Sequence, residues 1–375
     1  MERLRLLWVV PFLPVRGVAA ARERWWNLLA RIAPRHDVTL LALVDADDEG
    51  RERDLPPGLA AVHLVRKTPW RPDDPLALLP RTVAGGYANP AFATAIARRL
   101  AAEPYDVVQY EFSEMANLIP KLIPGSARRT ILTVHQVGFA QQGPDWRASG
   151  GGPGRAAVLL HRHLRELDFE LRAVRRVDHV VTMSGEDARR LRRFAPDLRV
   201  SVSPCGVDCR QFRPADPPAP PATDVVFVGH FGHPPNVDAV RFLVHDVAPR
   251  IGRPVRIRIV GRGVTPDVSA LARPGAVDVV GPVDDVRPEL ASARVVVAPV
   301  RFGTGMRGKV LEALAMARPV VTTSLGAEGL GATQGHHLLV ADGAEAFAAA
   351  IGRVLDDAEL AAALGGAGRA LVTTR

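Results

Sequence analysis

The strongest constraint on this chain is a rhythm. Apolar, β-branched runs of strand length alternate with segments of helical period along its whole length. Strands are expected near residues 4–10, 38–44, 61–65, 106–109, 130–134, 178–182 and 199–202. Helices are expected between several of them, notably over 18–33, 91–103, 157–176 and 185–195. Such alternation leads to parallel α/β architecture. The stretch Arg213-Pro214-Ala215-Asp216-Pro217-Pro218-Ala219-Pro220-Pro221 then breaks the rhythm. With five prolines in nine residues it cannot be a core element, and residues 213–222 read as a stiff interdomain linker. The rhythm restarts at Asp224-Val225-Val226-Phe227-Val228-Gly229, with further strands at 255–260, 276–280, 294–299, 319–323 and 337–340. The expectation is two doubly wound parallel-sheet units, residues 1–212 and 223–375. Ligands of such sheets bind at the carboxyl ends of the strands. With two facing units, the reaction site is expected in the cleft between them.

Composition narrows the partners. A chain of 375 residues with 47% hydrophobic content has material for two full cores. Its net charge of +8 comes mostly from arginine and would attract nucleic acid, anionic lipid or phosphorylated ligands. No zinc finger or aromatic-interleaved basic stripe is present, so nucleic acid is not expected. Cys205 and Cys209 are the only cysteines. One C-x3-C pair without histidines at ligand spacing suggests neither a metal site nor a disulfide framework. Reduced thiols in a cytoplasmic protein are expected. No run approaches 18 apolar residues, and the apolar start at Leu4–Pro11 is too short for a signal-peptide core. Contact with a membrane surface at the inner face stays open.

The chemistry concentrates in Phe302–Val321. An apolar strand leads into a glycine-rich turn, Gly303-Thr304-Gly305, and a helix is expected from about Met306. Arg307 and Lys309 then fall in the first helical turn, where free backbone N–H groups and the positive dipole end already attract anions. Two cations there make a phosphate cradle. Glu312 lies one turn on, on the face of Lys309, and its carboxylate can accept from the vicinal hydroxyls of a ribose. Diphosphate beside ribose describes a nucleotide. Lysine is otherwise scarce, with Lys67, Lys121 and Lys309 the only three among 48 basic residues. Such a composition keeps lysine where a compact three-donor ammonium is wanted. Gly303-x-Gly305-x-x-Gly308 formally matches the dinucleotide fingerprint, with Glu328 twenty residues beyond Gly308. That fingerprint, however, normally opens a domain's first strand-to-helix turn. This one follows the fourth strand of its unit and holds two cations, so NAD is the weaker reading.

This segment resembles the donor-binding signature of the family 4 (group 1) glycosyltransferases. The resemblance continues through Val180–Ser184, Pro204–Asp208 and Phe212–Pro214. Family members often show a Glu, seven residues and a second Glu. Glu312 matches the second, and Thr304 stands at the first. The resemblance implies the GT-B fold, two Rossmann-like domains facing a central cleft. It implies sugar transfer from a nucleotide-diphosphate sugar with retention of configuration, of hexosyl type. No cofactor or metal is implied beyond that co-substrate. The acceptor would be a sugar, a lipid-linked sugar or a glycoconjugate.

By the same resemblance, His135, Arg307 and Lys309 are the catalytic candidates. Gly17, Gly229, His230, Val283, Gly303, Thr304, Gly305, Met306 and Glu312 join Arg307 and Lys309 on the donor. Gly17 would face the donor phosphates and the acceptor, and His135 the transferred sugar. His230 stands where many members carry an arginine, and Pro234-Pro235-Asn236 where they carry a lysine. Val283 lies in the loop that receives the base. GT-B chains usually end in a helix that crosses back to the first domain. This sequence reaches Thr374-Arg375 where that helix would begin, so it is expected to be missing.

Several features are set aside. Asp45-Ala46-Asp47 is formally a metal-binding D-x-D but reads as a solvated loop with Asp48 and Glu49. The helix at 18–33, with Arg22, Arg24, Trp25, Trp26 and Arg31, reads either as a sheet-covering helix or as a membrane-surface element. A GT-B nucleotide-sugar epimerase and a non-catalytic nucleotide-binding protein are the alternative functions.

Overall fold

The structure is a computed structural model, and it describes residues 2–16, 20–45, 48–68, 87, 89–118, 127–141, 153–214, 221–303 and 308–374. Its contacts divide the chain into two compact units, Met1–Pro204 and Cys205–Arg375. Residues 205–214 belong to the second unit, where Phe212 is buried beside Val226, Leu290 and Val296. Of the expected linker, residues 215–220 lie outside the described residues.

The first unit holds seven strands: β1 (Arg5–Val10), β2 (Asp37–Val44), β3 (Ala61–Arg66), β4 (Tyr105–Glu111), β5 (Ala127–Val134), β6 (His179–Thr182) and β7 (Val200–Val202). They form one sheet in the order β3-β2-β1-β4-β5-β6-β7, and every pairing is parallel. The chain winds outward from β1 to β3, then returns to β1's other edge and winds outward again through β7. The switch point therefore lies between β1 and β4. β1 and β2 are buried along nearly their whole length, as strands covered on both faces must be, which is why they read as unbroken apolar runs.

Helices α1 (Ala20–Ile32), α2 (Pro90–Ala102), α3 (Pro153–Val174) and α4 (Gly185–Phe194) supply the cover. Phe92, Ile96 and Leu100 of α2 pack with Leu7, Val9 and Val108 of the sheet. Trp25 and Leu29 of α1 pack with Trp8, Val10 and Leu40. Trp25 is fully buried, and Trp26 Nε1 donates to the Asp54 carbonyl at 2.9 Å. Helix α1 thus covers the sheet through Trp25 and Leu29, with Trp26 half-buried beside it. Among the described residues no helix is long and apolar enough to cross a membrane.

The second unit repeats the plan with β8 (Thr223–His230), β9 (Ile257–Arg262), β10 (Val277–Val280), β11 (Ala293–Ala298), β12 (Val320–Thr322) and β13 (Leu339–Val340). The order is β10-β9-β8-β11-β12-β13, again all parallel. The switch point lies between β8 and β11. Its longer helices are α5 (Pro234–Phe242), α6 (Gly308–Ala315), α7 (Ala344–Asp356) and α8 (Ala358–Thr373). The last helix packs within this unit. A Cβ on Gly365 would come 2.3 Å from the Ala317 carbonyl oxygen, and one on Gly368 2.5 Å from Leu314 Cδ2.

Candidate functional site

In the second unit the site begins at the carboxyl end of β8. Gly229 there is wedged among three side chains. A Cβ at this position would lie 2.8 Å from Phe227 Cε1, 3.1 Å from Asn236 Cγ and 3.2 Å from Lys309 Nζ. Only a residue without a side chain lets the ammonium sit over the strand end. Lys309 donates from Nζ to Asn236 Oδ1 at 2.7 Å, and the same nitrogen stands 4.1 Å from the Phe227 ring centroid. Asn236 in turn donates from Nδ2 to the His230 carbonyl at 2.8 Å. Lysine, amide and backbone thus form one chain of contacts across the switch point, with β8 and α5 on one side and the helix after β11 on the other. An ammonium held over a ring face and aimed by an amide oxygen suits an anion arriving at the strand ends.

Lys309 lies in the first turn of α6, which starts at Gly308. Glu312 is half-buried three residues later in the same helix. Gly303 has φ +96°, in the region that strains any side chain, so the glycine of the turn is required by its backbone. Thr304, Gly305, Met306 and Arg307 lie outside the described residues. His230 is exposed at the end of β8 and accepts on Nδ1 from the Gly232 N–H at 3.1 Å. Val283 is half-buried in the loop after β10. Arg301, just before the turn, is committed elsewhere, since its Nε donates to Asp238 at 2.8 Å.

α5 begins with two prolines, Pro234 and Pro235, which have no N–H to offer. The Asn236 N–H goes to the His233 carbonyl at 2.9 Å. The first-turn donors of this helix are therefore largely spent, and Lys309 supplies the donor group at this corner. In the sequence Asn236 stands out only as part of Pro234-Pro235-Asn236, and its own signal is a polar residue in the first turn of the helix after the unit's opening strand.

In the first unit, His135 follows β5 and is almost buried, its side chain 9% exposed. Its Nε2 lies 2.7 Å from Oε2 of Glu111, at the carboxyl end of β4. Phe112 stacks on the imidazole with centroids 4.2 Å apart and planes 13° from parallel. Trp25 meets the ring edge-on at 5.6 Å. Phe112 reaches this place with φ +76°, a conformation that costs a non-glycine residue energy and is seen most often at functional sites. Further aromatic rings, Phe12 and Tyr87, lie 6.4 and 6.0 Å from Phe112. The cluster gathers where β1, β4 and β5 end, beside the switch point of this sheet.

Gly17 and Asp47 lie outside the described residues. Of the other acids in this loop, Glu49 is exposed, while Asp45 and Asp48 are engaged by basic side chains. Asp48 is buried and paired with Arg22, and Asp45 lies 3.3 Å from Lys67 Nζ. The buried pairing of Asp48 corrects the expectation of a wholly solvated loop. Cys205 and Cys209 are half-buried and are not joined in a disulfide.

Residues 23–211 match the family model described as Glycosyltransferase Family 4. The chain belongs to this glycosyltransferase family. Residues 222–357 of this glycosyltransferase match a second model, Glycosyl transferases group 1. Among curated proteins, none matches it in sequence. Among solved structures it is similar to sucrose-phosphate synthase from Thermosynechococcus elongatus. The two are 18% identical with a TM-score of 0.74, over 99% of this chain and 94% of that one. It is also similar to Anabaena HepE in complex with UDP and glucose, at 14% identity and TM-score 0.67, over 100% and 95% of the two chains. A glycosyltransferase from Rickettsia africae shares 15% identity with it, with a TM-score of 0.62 over 100% and 94%. The likeness carries the fold: this glycosyltransferase has the two parallel-sheet units of GT-B proteins.

Proposed function

We propose that the protein transfers a hexosyl group from a nucleotide-diphosphate sugar to a sugar, lipid-linked or glycoconjugate acceptor, with retention and without a metal ion. One observation carries this reading: Lys309 Nζ is held over the strand end at Gly229, beside the switch point of the second sheet. In the transfer, positive charge builds at the anomeric carbon and negative charge on the departing diphosphate. The largest electrostatic demand is therefore at the leaving group. Lys309 answers that demand, with Arg307 beside it in sequence. Glu312 is assigned to the ribose hydroxyls and Val283 to the base. Gly17 and His135 are assigned to the sugar side. Complexes of Anabaena HepE with UDP and glucose and with UDP-glucose support a uridine nucleotide as the first donor to try.

The test is incubation with radiolabelled UDP- and GDP-sugars, scoring hydrolysis and transfer, in wild type and Lys309→Ala. The expected result is turnover of at least one donor, strongly reduced in the variant. Nucleotide binding without turnover of any donor would favour a non-catalytic binding protein. Interconversion of donor sugars would favour an epimerase.

A further inference from the structure

The carboxylate of Glu111 has four polar neighbours, three of which donate to it. Oε2 receives Trp25 Nε1–H at 2.9 Å and faces His135 Nε2 at 2.7 Å. Oε1 receives the Gln109 amide at 3.2 Å and the Thr133 hydroxyl at 3.3 Å. Glu111 and Thr133 are register partners across β4 and β5, so the arrangement is built into the sheet. Glu111 is 1% exposed, and a buried carboxylate with every acceptor position filled is a completed network. Within it, indole nitrogen can only donate, and His135 Nε2 meets an acceptor. Beside a carboxylate that only accepts, this contact assigns the neutral imidazole's proton to Nε2. Phe112 on the ring face and Trp25 at its edge block the ring from turning over. Among the described residues nothing hydrogen-bonds Nδ1, so Nδ1 is the nitrogen left to present an unshared pair to a ligand hydroxyl.

We propose that Glu111 is a positioning residue that holds His135 as the Nε2–H tautomer and so makes it a hydrogen-bond acceptor toward the donor sugar. The proposal rests on the assignment of His135 to the sugar. A histidine held in the other tautomer would offer N–H at Nδ1, so the ligand hydroxyl would have to accept there instead of donating, and the direction of the contact would reverse.

The network also predicts which substitutions switch the ring. In Glu111→Met the acceptor is gone. Among the described residues, the polar neighbour left at Nε2 is then Trp25 Nε1–H, already 3.3 Å away, and it can bond only to an unprotonated Nε2. The proton moves to Nδ1. In Glu111→Gln the new amide N–H2 can turn toward the Oε1 side, where the Gln109 amide can flip and the Thr133 hydroxyl can rotate to accept it. Its oxygen then stays toward Trp25 and His135, and the Nε2–H tautomer survives.

Ring ¹⁵N shifts read the tautomer directly, with the His135 signals assigned by their loss in His135→Gln. The expected result is a protonated Nε2 and a bare Nδ1 in wild type and Glu111→Gln, reversed in Glu111→Met. Turnover should fall at least about 100-fold in Glu111→Met and by less in Glu111→Gln, with UDP affinity unchanged in both. A wild-type ring protonated on Nδ1 overturns the proposal, and so does a Glu111→Met ring that keeps Nε2–H. Glu111→Gln losing as much turnover as Glu111→Met while retaining Nε2–H overturns it too, because charge rather than tautomer would then matter. If Glu111→Met does not fold, the wild-type spectrum and Glu111→Gln still decide. Full turnover in His135→Ala refutes the assignment of His135 to the sugar, a failure the nitrogen signals distinguish from a failure of Glu111.

Discussion

Single side chains at the second switch point have separable effects. Losing a charge-assisted hydrogen bond costs roughly 1.5–3 kcal/mol. Lys309→Ala should therefore weaken nucleotide-diphosphate binding about ten- to a hundredfold by calorimetry. Unchanged affinity would remove Lys309 from the site. Asn236→Ala should weaken it less, because it takes away only the group that aims the ammonium. Gly229→Ala makes the opposite perturbation, since its new Cβ would lie 2.8 Å from Phe227 Cε1 and crowd Lys309 Nζ at 3.2 Å, so binding should fall although every charge remains. Glu312→Gln should cost a ribonucleotide diphosphate more than its 2′-deoxy analogue. Equal losses would make this carboxylate structural.

At the scale of elements, the turn after β5 is pinned by α3. Glu170 accepts the Gly138 and Phe139 N–H groups at 2.7 and 3.0 Å and the Ser113 hydroxyl at 3.2 Å. Burial pushes its carboxyl up to about 7; the two backbone donors oppose that and the nearby Glu114 and Glu166 add to it. Glu114 is raised as well, mainly by burial. A carboxyl whose folded pKa lies above its unfolded one makes the native state bind the extra proton. Its contribution is present in full below the unfolded value and is lost as pH rises through the folded one. Thermal stability should accordingly decline between about pH 4.5 and pH 7. Glu170→Gln should flatten that decline, read as the difference between the two melting-temperature profiles. Parallel profiles would mean that Glu170 does not titrate in this window. At another element end, Ser184 caps α4 by accepting the Asp187 N–H at 3.0 Å. Ser184→Ala should cost about 1 kcal/mol in denaturant unfolding.

For the whole molecule, the two units have separate cores. Phe92 is buried with Leu7 and Val108 in one, Phe347 with Phe227 and Val297 in the other. Truncating either phenylalanine to alanine should cost about 3–5 kcal/mol. Hydrogen exchange should then speed up through the unit that carries the change more than through the other. UDP should protect peptides around Gly229, Asn236 and Lys309. If transfer needs no metal, turnover persists in excess EDTA after dialysis. Activity abolished there and restored by Mn²⁺ would end that part of the proposal.

The sequence alone determined the elements. All thirteen expected strands occur within about three residues of their places, because strands buried on both faces must be apolar throughout and leave an unmistakable run. It also pointed to the position of Lys309, because a helix's first turn follows from a local glycine-rich signal and the free N–H groups at that end have known chemistry. The tertiary structure alone decided what these residues touch. Asn236 lies 73 positions from Lys309, and Glu111 lies 24 from His135 and 86 from Trp25. No local pattern encodes such distances. They arise when parallel winding returns each strand's carboxyl end to the same edge of its sheet, which places β8 beside the helix after β11 and β4 beside β5. For the same reason Asp48 read as a solvated loop acid, since the arginine that buries it stands 26 residues earlier. Periodicity reports which face of an element is dry, whereas the partner on that face is chosen by topology.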